Sequence, residues 1–256
     1  MMASRIRWPF FILLAVALAI GPLAPALVAS TLLMTLLAQG VISAIFATSI
    51  GLLIRQSGLI SFGHAAFYGL SAYCLGLFIK HGVLAAHWAI LAAVLVPTLI
   101  ALALGLVIVR IPGVAFSMIT LGIVELVFAC SLMFPGFFGG EGGVSGNRVF
   151  GQPLLGISFG PQIQVYYLIA FWLFISTAAM FALAHTPLGR IANAVRDNPE
   201  RAEFVGYDPQ RVRFLMLMLS AFFAGISGGL TAINFEIVSA ENVSAARSGE
   251  IGRAHV

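Results

Sequence analysis

The feature that most constrains this chain is a series of apolar runs, each close to the ~20 residues that a helix needs to cross a bilayer. Seven can be counted: Trp8–Ala29, Thr31–Ile54, Ser61–Ile79, His87–Val109, Val114–Phe134, Gln164–Ala184 and Phe214–Phe235. A backbone in lipid must satisfy its own hydrogen bonds, which leaves only helices and closed barrels. These runs are too long and too uniformly apolar for barrel strands, whose residues alternate between lipid and lumen. Composition points the same way. Charged residues make up 9% of the chain, against ~25% in soluble domains, so most of the surface has to face lipid. The expected fold is all-α, a polytopic transmembrane helical bundle of about seven spans. The first run follows Arg5 and Arg7 and is too long for the apolar core of a cleaved signal, so it reads as a signal-anchor. Pro22 and Pro25 predict a break at its end.

The basic residues between the runs report on topology. With the amino terminus in the cytoplasm, Arg5, Arg7, Arg55, Arg110, Arg190, Arg196, Arg201, Arg211 and Arg213 fall inside, and only Lys80 and Arg148 fall in outer loops. The positive-inside bias therefore selects this orientation, and a missed span would have scrambled the sorting. The net charge of +4 is explained by these loops and calls for no nucleic-acid partner. Cys74 and Cys130 lie singly inside apolar runs and read as inert. The outer loop from Pro135 to Ile163 is rich in Gly and Pro. Its glycines predict a turn-rich cap, because it lacks the Gly-Lys-Ser/Thr ending of a phosphate loop.

The inner loop, residues 185–213, is the most polar stretch. Pro187 suits a first helical turn, and Leu188, Ile191, Ala192 and Val195 share one face at helical spacing. Asp197 or Asn198 can cap a second short helix that has Pro199 at its first position. In it Ala202, Val205 and Phe204 are expected to form an apolar edge, with Glu200, Arg201 and Glu203 in water and Gly206 as the stop. Two amphipathic helices here form a socket for a cytoplasmic partner. A solvated connector fits the pattern equally well.

Within the spans, polar groups stand out. Ser61 and His64 sit at the inner end of the third run, among the small residues Gly58, Gly63, Ala65, Ala66, Gly69 and Ser71, which let helices approach closely. His64 reads first as a hydrogen-bond partner of a neighbouring backbone and second as a solute contact. Glu125 is the carboxylate deep in a span, where an ionisable group is a functional candidate facing the interior or a water-filled path. A paired or protonated structural carboxyl is its other reading. Thr120 lies about 140° around the helix from it. There is no metal-ligand cluster, no nucleophile–base set and no Walker motif in the sequence.

Three blocks carry a family resemblance. Glu200-x-Ala202-x-x-x-Gly206 is similar to the Glu-Ala-Ala-x-x-x-Gly signature of ABC importer permeases, with Arg201 at its second position. The wider run Thr186-Pro-Leu-Gly-Arg190 through Arg196-Asp-Asn-Pro-Glu200 resembles the branched-chain amino acid (LivM-type) permeases. Gln56 to Tyr73 resembles that family's Gly-x-x-Ser-x-Gly-His-x-x-Phe-x-x-x-Gly-Ala-Tyr block, with Ser71 where Gly or Ala is frequent. Arg110 to Glu125, followed by Phe138 to Gly146, resembles its Arg-x-x-Gly-x-x-Phe-x-x-x-Thr-Leu block and Gly-rich outer loop. The resemblance implies a permease of the bacterial inner membrane that imports branched-chain amino acids or similar small solutes by alternating access. Urea or short amides are alternative solutes.

The implied partners are cytoplasmic ABC ATPase subunits, a homologous second permease and a periplasmic or extracellular solute-binding protein. The implied ATPase-coupling residues are Gly189, Arg190, Arg196, Asp197, Glu200, Ala202 and Gly206. Ser61, His64, Thr120 and Glu125 are the path candidates. The chain itself is then neither an enzyme nor a cofactor carrier. A secondary transporter would need ion-coupling residues beyond Glu125, and a membrane enzyme would need a catalytic set. Residues 1–249 are expected to form the permease domain. Residues 250–256 resemble a translated sequencing adapter, which predicts a non-native tail on a truncated reading frame.

Overall fold

In the computed structural model, residues 7–23, 31–82, 86–149 and 159–244 are described. The turn between the first two runs and the 250–256 tail lie outside them. The described chain is helical. Its helices are α1 (Arg7–Ile20), α2 (Thr31–Ser57), α3 (His64–Lys80), α4 (Ala86–Ile108), α5 (Val114–Met133), α6 (Pro135–Phe138), α7 (Gln162–His185), α8 (Pro187–Asp197), α9 (Pro199–Phe204) and α10 (Pro209–Phe235). A two-residue antiparallel ribbon, β1 (Val144–Ser145) with β2 (Ile237–Val238), is the exception to an all-α fold.

Among the described residues, α2, the Trp88–Ile108 stretch of α4, α5, α7 and α10 are long and apolar enough to cross a bilayer. Among the described residues, the other two expected spans fall on α1, of 14 residues, and α3, of 17 residues, and the end of the first run lies outside the described residues. At 1.5 Å per residue these two helices are about 21 and 26 Å long, short of a ~30 Å hydrocarbon core. The predicted break in the first run is present: α1 ends at Ile20, and a turn at Gly21–Pro22 follows.

The bundle is built around α10, which packs on α2, α3 and α4. Of its most apolar window 72% is buried, against 28% in α5 and in α7. Close approach requires small residues where backbones meet. A Cβ at Gly228 would overlap the Tyr68 carbonyl of α3, and one at Gly63 would overlap the Thr120 carbonyl of α5. Gly225 receives the ring of Pro97, the proline inside α4.

The two ends of the bundle are chemically distinct. At one end Arg196 donates to the Arg55 carbonyl, Ser117 Oγ donates to the Ile60 carbonyl at 2.7 Å, and Arg110 and Arg211 line one cleft. At the other end Gly146 sits against the Lys80 backbone, and Arg148 is bound to the end of α10. The sorting of arginines seen in the sequence is thus a sorting in space.

Candidate functional site

Three places collect the residues that could do work. The first is the arginine-rich end. Thr186 Oγ1 accepts from Gly189 N at 3.4 Å and caps α8, and Asn198 Oδ1 accepts from Arg201 N at 2.9 Å and caps α9. Pro187 and Pro199 occupy the first turns, where a missing N–H leaves no bond unmade. Ala192 and Val195 are fully buried, so α8 lies with its apolar face on the bundle, against α2 and α7. Gly189 is buried where α8 folds back on α7; a Cβ there would crowd the Leu183 and Ala184 carbonyls.

Arg196 binds Asp197 Oδ1 through Nε at 2.9 Å and through Nη2 at 2.8 Å, and its Nη1 reaches the Arg55 carbonyl. Its stem covers Gly58. Arg190 and Glu200 are exposed. Gly206 closes α9 with φ +95°, a left-handed conformation that favours glycine.

One detail of this segment differs from expectation. Ala202 is buried against the bundle, whereas Phe204 is 92% exposed and Val205 and Tyr207 are exposed beside it. Ala202 and Phe204 are two residues apart, about 200° around a helix, so they face opposite ways and form no common edge. The exposed apolar tip is Phe204, Val205 and Tyr207.

The second place is a polar seam between α2, α3 and α10. His64 is fully buried; its Nε2 lies 2.8 Å from Ser220 Oγ, which donates to the Ser49 carbonyl at 2.6 Å. His64 Nδ1 and the buried Ser61 Oγ have no hydrogen-bond partner among the described residues. Further along, Tyr68 Oη and Thr231 Oγ1 are 2.5 Å apart, and Thr231 donates to the Ser227 carbonyl at 3.1 Å. At the far end Gln162 Nε2 donates to Asn234 Oδ1 at 2.7 Å. Ser220, Ser227, Thr231 and Asn234 recur at helical spacing on α10 and mark its inner face. That spacing was in the sequence, but only the structure sets His64 against it.

The third place is α5. Thr120 is buried at the contact with Gly63, its Oγ1 donating to the Ser117 carbonyl at 2.9 Å. The structure thus gathers Ser61, His64 and Thr120 near the start of α3. Glu125 is not brought to them. It lies on the exposed side of α5, in a row with Met118, Gly122, Ala129 and Leu132.

The Gly-rich loop forms the cap that its glycines predicted, with Gly139, Gly140 and Gly143 at positive φ around α6 and a 3₁₀ turn. Arg148 fixes this cap. Its Nε donates to the Phe159 carbonyl at 2.8 Å, its Nη2 to that of Gly160 at 3.1 Å and its Nη1 to that of Ile233 at 3.2 Å. Its backbone N–H donates to Glu236 Oε1 at 3.1 Å. Sequence reasoning did not single out Arg148 as more than a topology marker, although an arginine on the sparsely charged side was a signal.

Comparison with known proteins identifies the family. No solved structure matches the chain significantly. The chain is 27% identical over 226 residues to the high-affinity branched-chain amino acid transport system permease protein LivM of Salmonella typhimurium, covering 80% of this chain and 53% of that protein. To the protein of the same name from Escherichia coli it is 26% identical, with the same coverage. The chain therefore spans about half the length of the curated relatives it matches. The family model for the branched-chain amino acid transport system permease component matches residues 32–248, most of the chain. A helical bundle of this size with that match is a member of a known family: the chain belongs to the branched-chain amino acid transport system permease components.

Proposed function

We propose that this chain is part of the membrane permease of an ABC importer that carries branched-chain amino acids, or similar small solutes, into the cytoplasm by alternating access. The observation that carries this reading is the α8–α9 pair. It is capped at both starts, seated on the bundle by Ala192, Val195 and Ala202, and tipped by the exposed Phe204 and Val205. An exposed apolar tip on a rigid base fits docking into a cleft of a cytoplasmic ATPase subunit. Gly189 and Gly206 shape the pair, Arg196, held by Asp197, ties it to α2, and Arg190 and Glu200 form its polar rim. The arginine-rich end is then cytoplasmic, in keeping with the positive-inside bias.

In this reading solute passes beside the start of α3, where Ser61 Oγ and His64 Nδ1 offer buried polar atoms and Thr120 lies across the contact. Glu125, on the exposed side of α5 and away from these residues, faces a homologous second permease and would line the path only at that interface. A carboxylate inside a membrane is costly against lipid and calls for a polar neighbour. A solute-binding protein delivers cargo to the cap held by Arg148. The test is co-expression of the full-length protein with an ATPase pair, a sister permease and a binding protein of the branched-chain amino acid class. Retention of the ATPase on purification, with ATP-dependent uptake of labelled leucine that excess urea does not block, is the expected result. Absence of any retained ATPase overturns the reading, and uptake blocked by urea moves the substrate to short amides.

A further inference from the structure

A cleft of about 220 Å³ opens between the arginine-bearing ends of α4 and α10. It is lined on one side by Leu106, Val109 and Arg110, and on the other by Gln210, Arg211 and Phe214. Arg110 Nε donates to the Leu106 carbonyl at 3.1 Å, which fixes the guanidinium at the cleft. Its Nη groups have no partner among the described residues. Arg211 comes from a segment about a hundred residues away in the chain. Asp208 also lines the cleft, but its carboxylate is engaged: it accepts from Gln210 N at 2.9 Å and from Arg211 N at 3.3 Å, and pairs with Arg211 Nε at 3.0 Å. Two cations against one engaged carboxylate leave the cleft net positive.

The cleft continues into an apolar track. Leu91, Leu95, Leu99, Leu102 and Leu106 are all exposed and recur every three or four residues, forming one ridge along α4 that ends below Arg110. From Leu91 to Leu106 the ridge is about 22 Å long, more than the ~15 Å half-thickness of the hydrocarbon core. A soluble anion would use the arginines and leave the ridge idle. A fork of arginine N–H groups matches phosphate, and basic pockets between transmembrane helices take anionic headgroups.

We propose that this cleft is a binding site for an anionic phospholipid, its headgroup phosphate on Arg110 and Arg211 and one acyl chain along the leucine ridge of α4. The proposal requires only that α4 and α10 span the membrane, and it is independent of solute and ATPase. Native mass spectrometry of the purified, delipidated full-length protein tests it, with phosphatidylglycerol and phosphatidylcholine of matched chains offered at equal concentration.

Phosphatidylglycerol should be retained preferentially, and Arg110→Gln and Arg211→Gln should each weaken its retention about fivefold, as expected for one basic contact. Arg201→Gln, which removes an equal charge from α9, should leave retention unchanged. No preference in the wild-type protein, or equal loss in Arg201→Gln, overturns the proposal. Displacement of the lipid by millimolar inorganic phosphate also overturns it, because the site would then take a soluble anion. Because the wild-type lipid preference is read without any substitution, a variant that fails to fold does not shield the proposal.

Discussion

Arg196 of α8 donates through Nη1 to the main-chain carbonyl of Arg55, near the end of α2, while its other N–H groups hold Asp197. The short helices at the arginine-rich end are thereby fastened to a central membrane helix. The packing of α8 on α2 and α7 adds to this link.

Arg196→Ala should break that fastening. The residue is partly exposed, so the stability loss should be small, roughly 1 kcal/mol or less. On the proposed function, ATP-dependent uptake should fall well below the wild type while ATPase co-purification persists. Uptake measured against retained ATPase checks this. Equal loss of both would make Arg196 a docking residue.

Phe204→Ala should act the opposite way. A side chain that is 92% exposed packs on nothing in this chain, so its truncation should change thermal stability by no more than about 0.5 kcal/mol. On the proposed function, retention of an ATPase subunit on purification should drop sharply. Ala202→Leu is the contrast: Ala202 is buried, and overpacking it should cost about 1–3 kcal/mol.

His64 and Ser220 form a buried pair 2.8 Å apart. Ser220→Ala leaves the imidazole without that partner and should cost about 1–3 kcal/mol. The double variant His64→Phe/Ser220→Ala should lose less than the sum of the single losses, because the orphaned group is gone. Denaturation in detergent gives the cycle, and strict additivity would show that the pair is not coupled.

Gly228 and Gly122 should respond differently to the same methyl group. At Gly228 a Cβ overlaps the Tyr68 carbonyl, and the α3–α10 crossing has to open; at Gly122 nothing lies within 4 Å. Gly228→Ala should cost about 1–3 kcal/mol. Gly122→Ala should be neutral, or stabilise by up to about 1 kcal/mol through helix propensity.

Arg148→Gln removes hydrogen bonds to the carbonyls of Phe159, Gly160 and Ile233. Its side chain is only 11% exposed, so these carbonyls are not simply rehydrated. The cap should loosen from α10, at a loss of about 3 kcal/mol. Faster cleavage of the 135–163 loop by added protease would report it, and an unchanged digestion pattern would not fit.

What the sequence determined by itself was set by chemistry local to a segment. Apolar runs of membrane length specified helices, and arginines sorted the two ends. Pro187, Asn198 and Pro199 marked where short helices begin, and three ordered blocks carried the family. These signals need no partner from elsewhere in the chain. The tertiary structure alone decided which face of each membrane helix is inside, because a helix apolar all round carries little periodicity to tell its faces apart. It therefore decided that His64 meets Ser220, that Thr120 is buried while Glu125 is exposed, and that Ala202 turns inward while Phe204 turns out. It also decided that Arg148, read from the sequence only as an outlier in the charge sorting, ties the cap to the end of α10. Contacts between residues tens to more than a hundred positions apart exist only once α10 is packed among α2, α3 and α4.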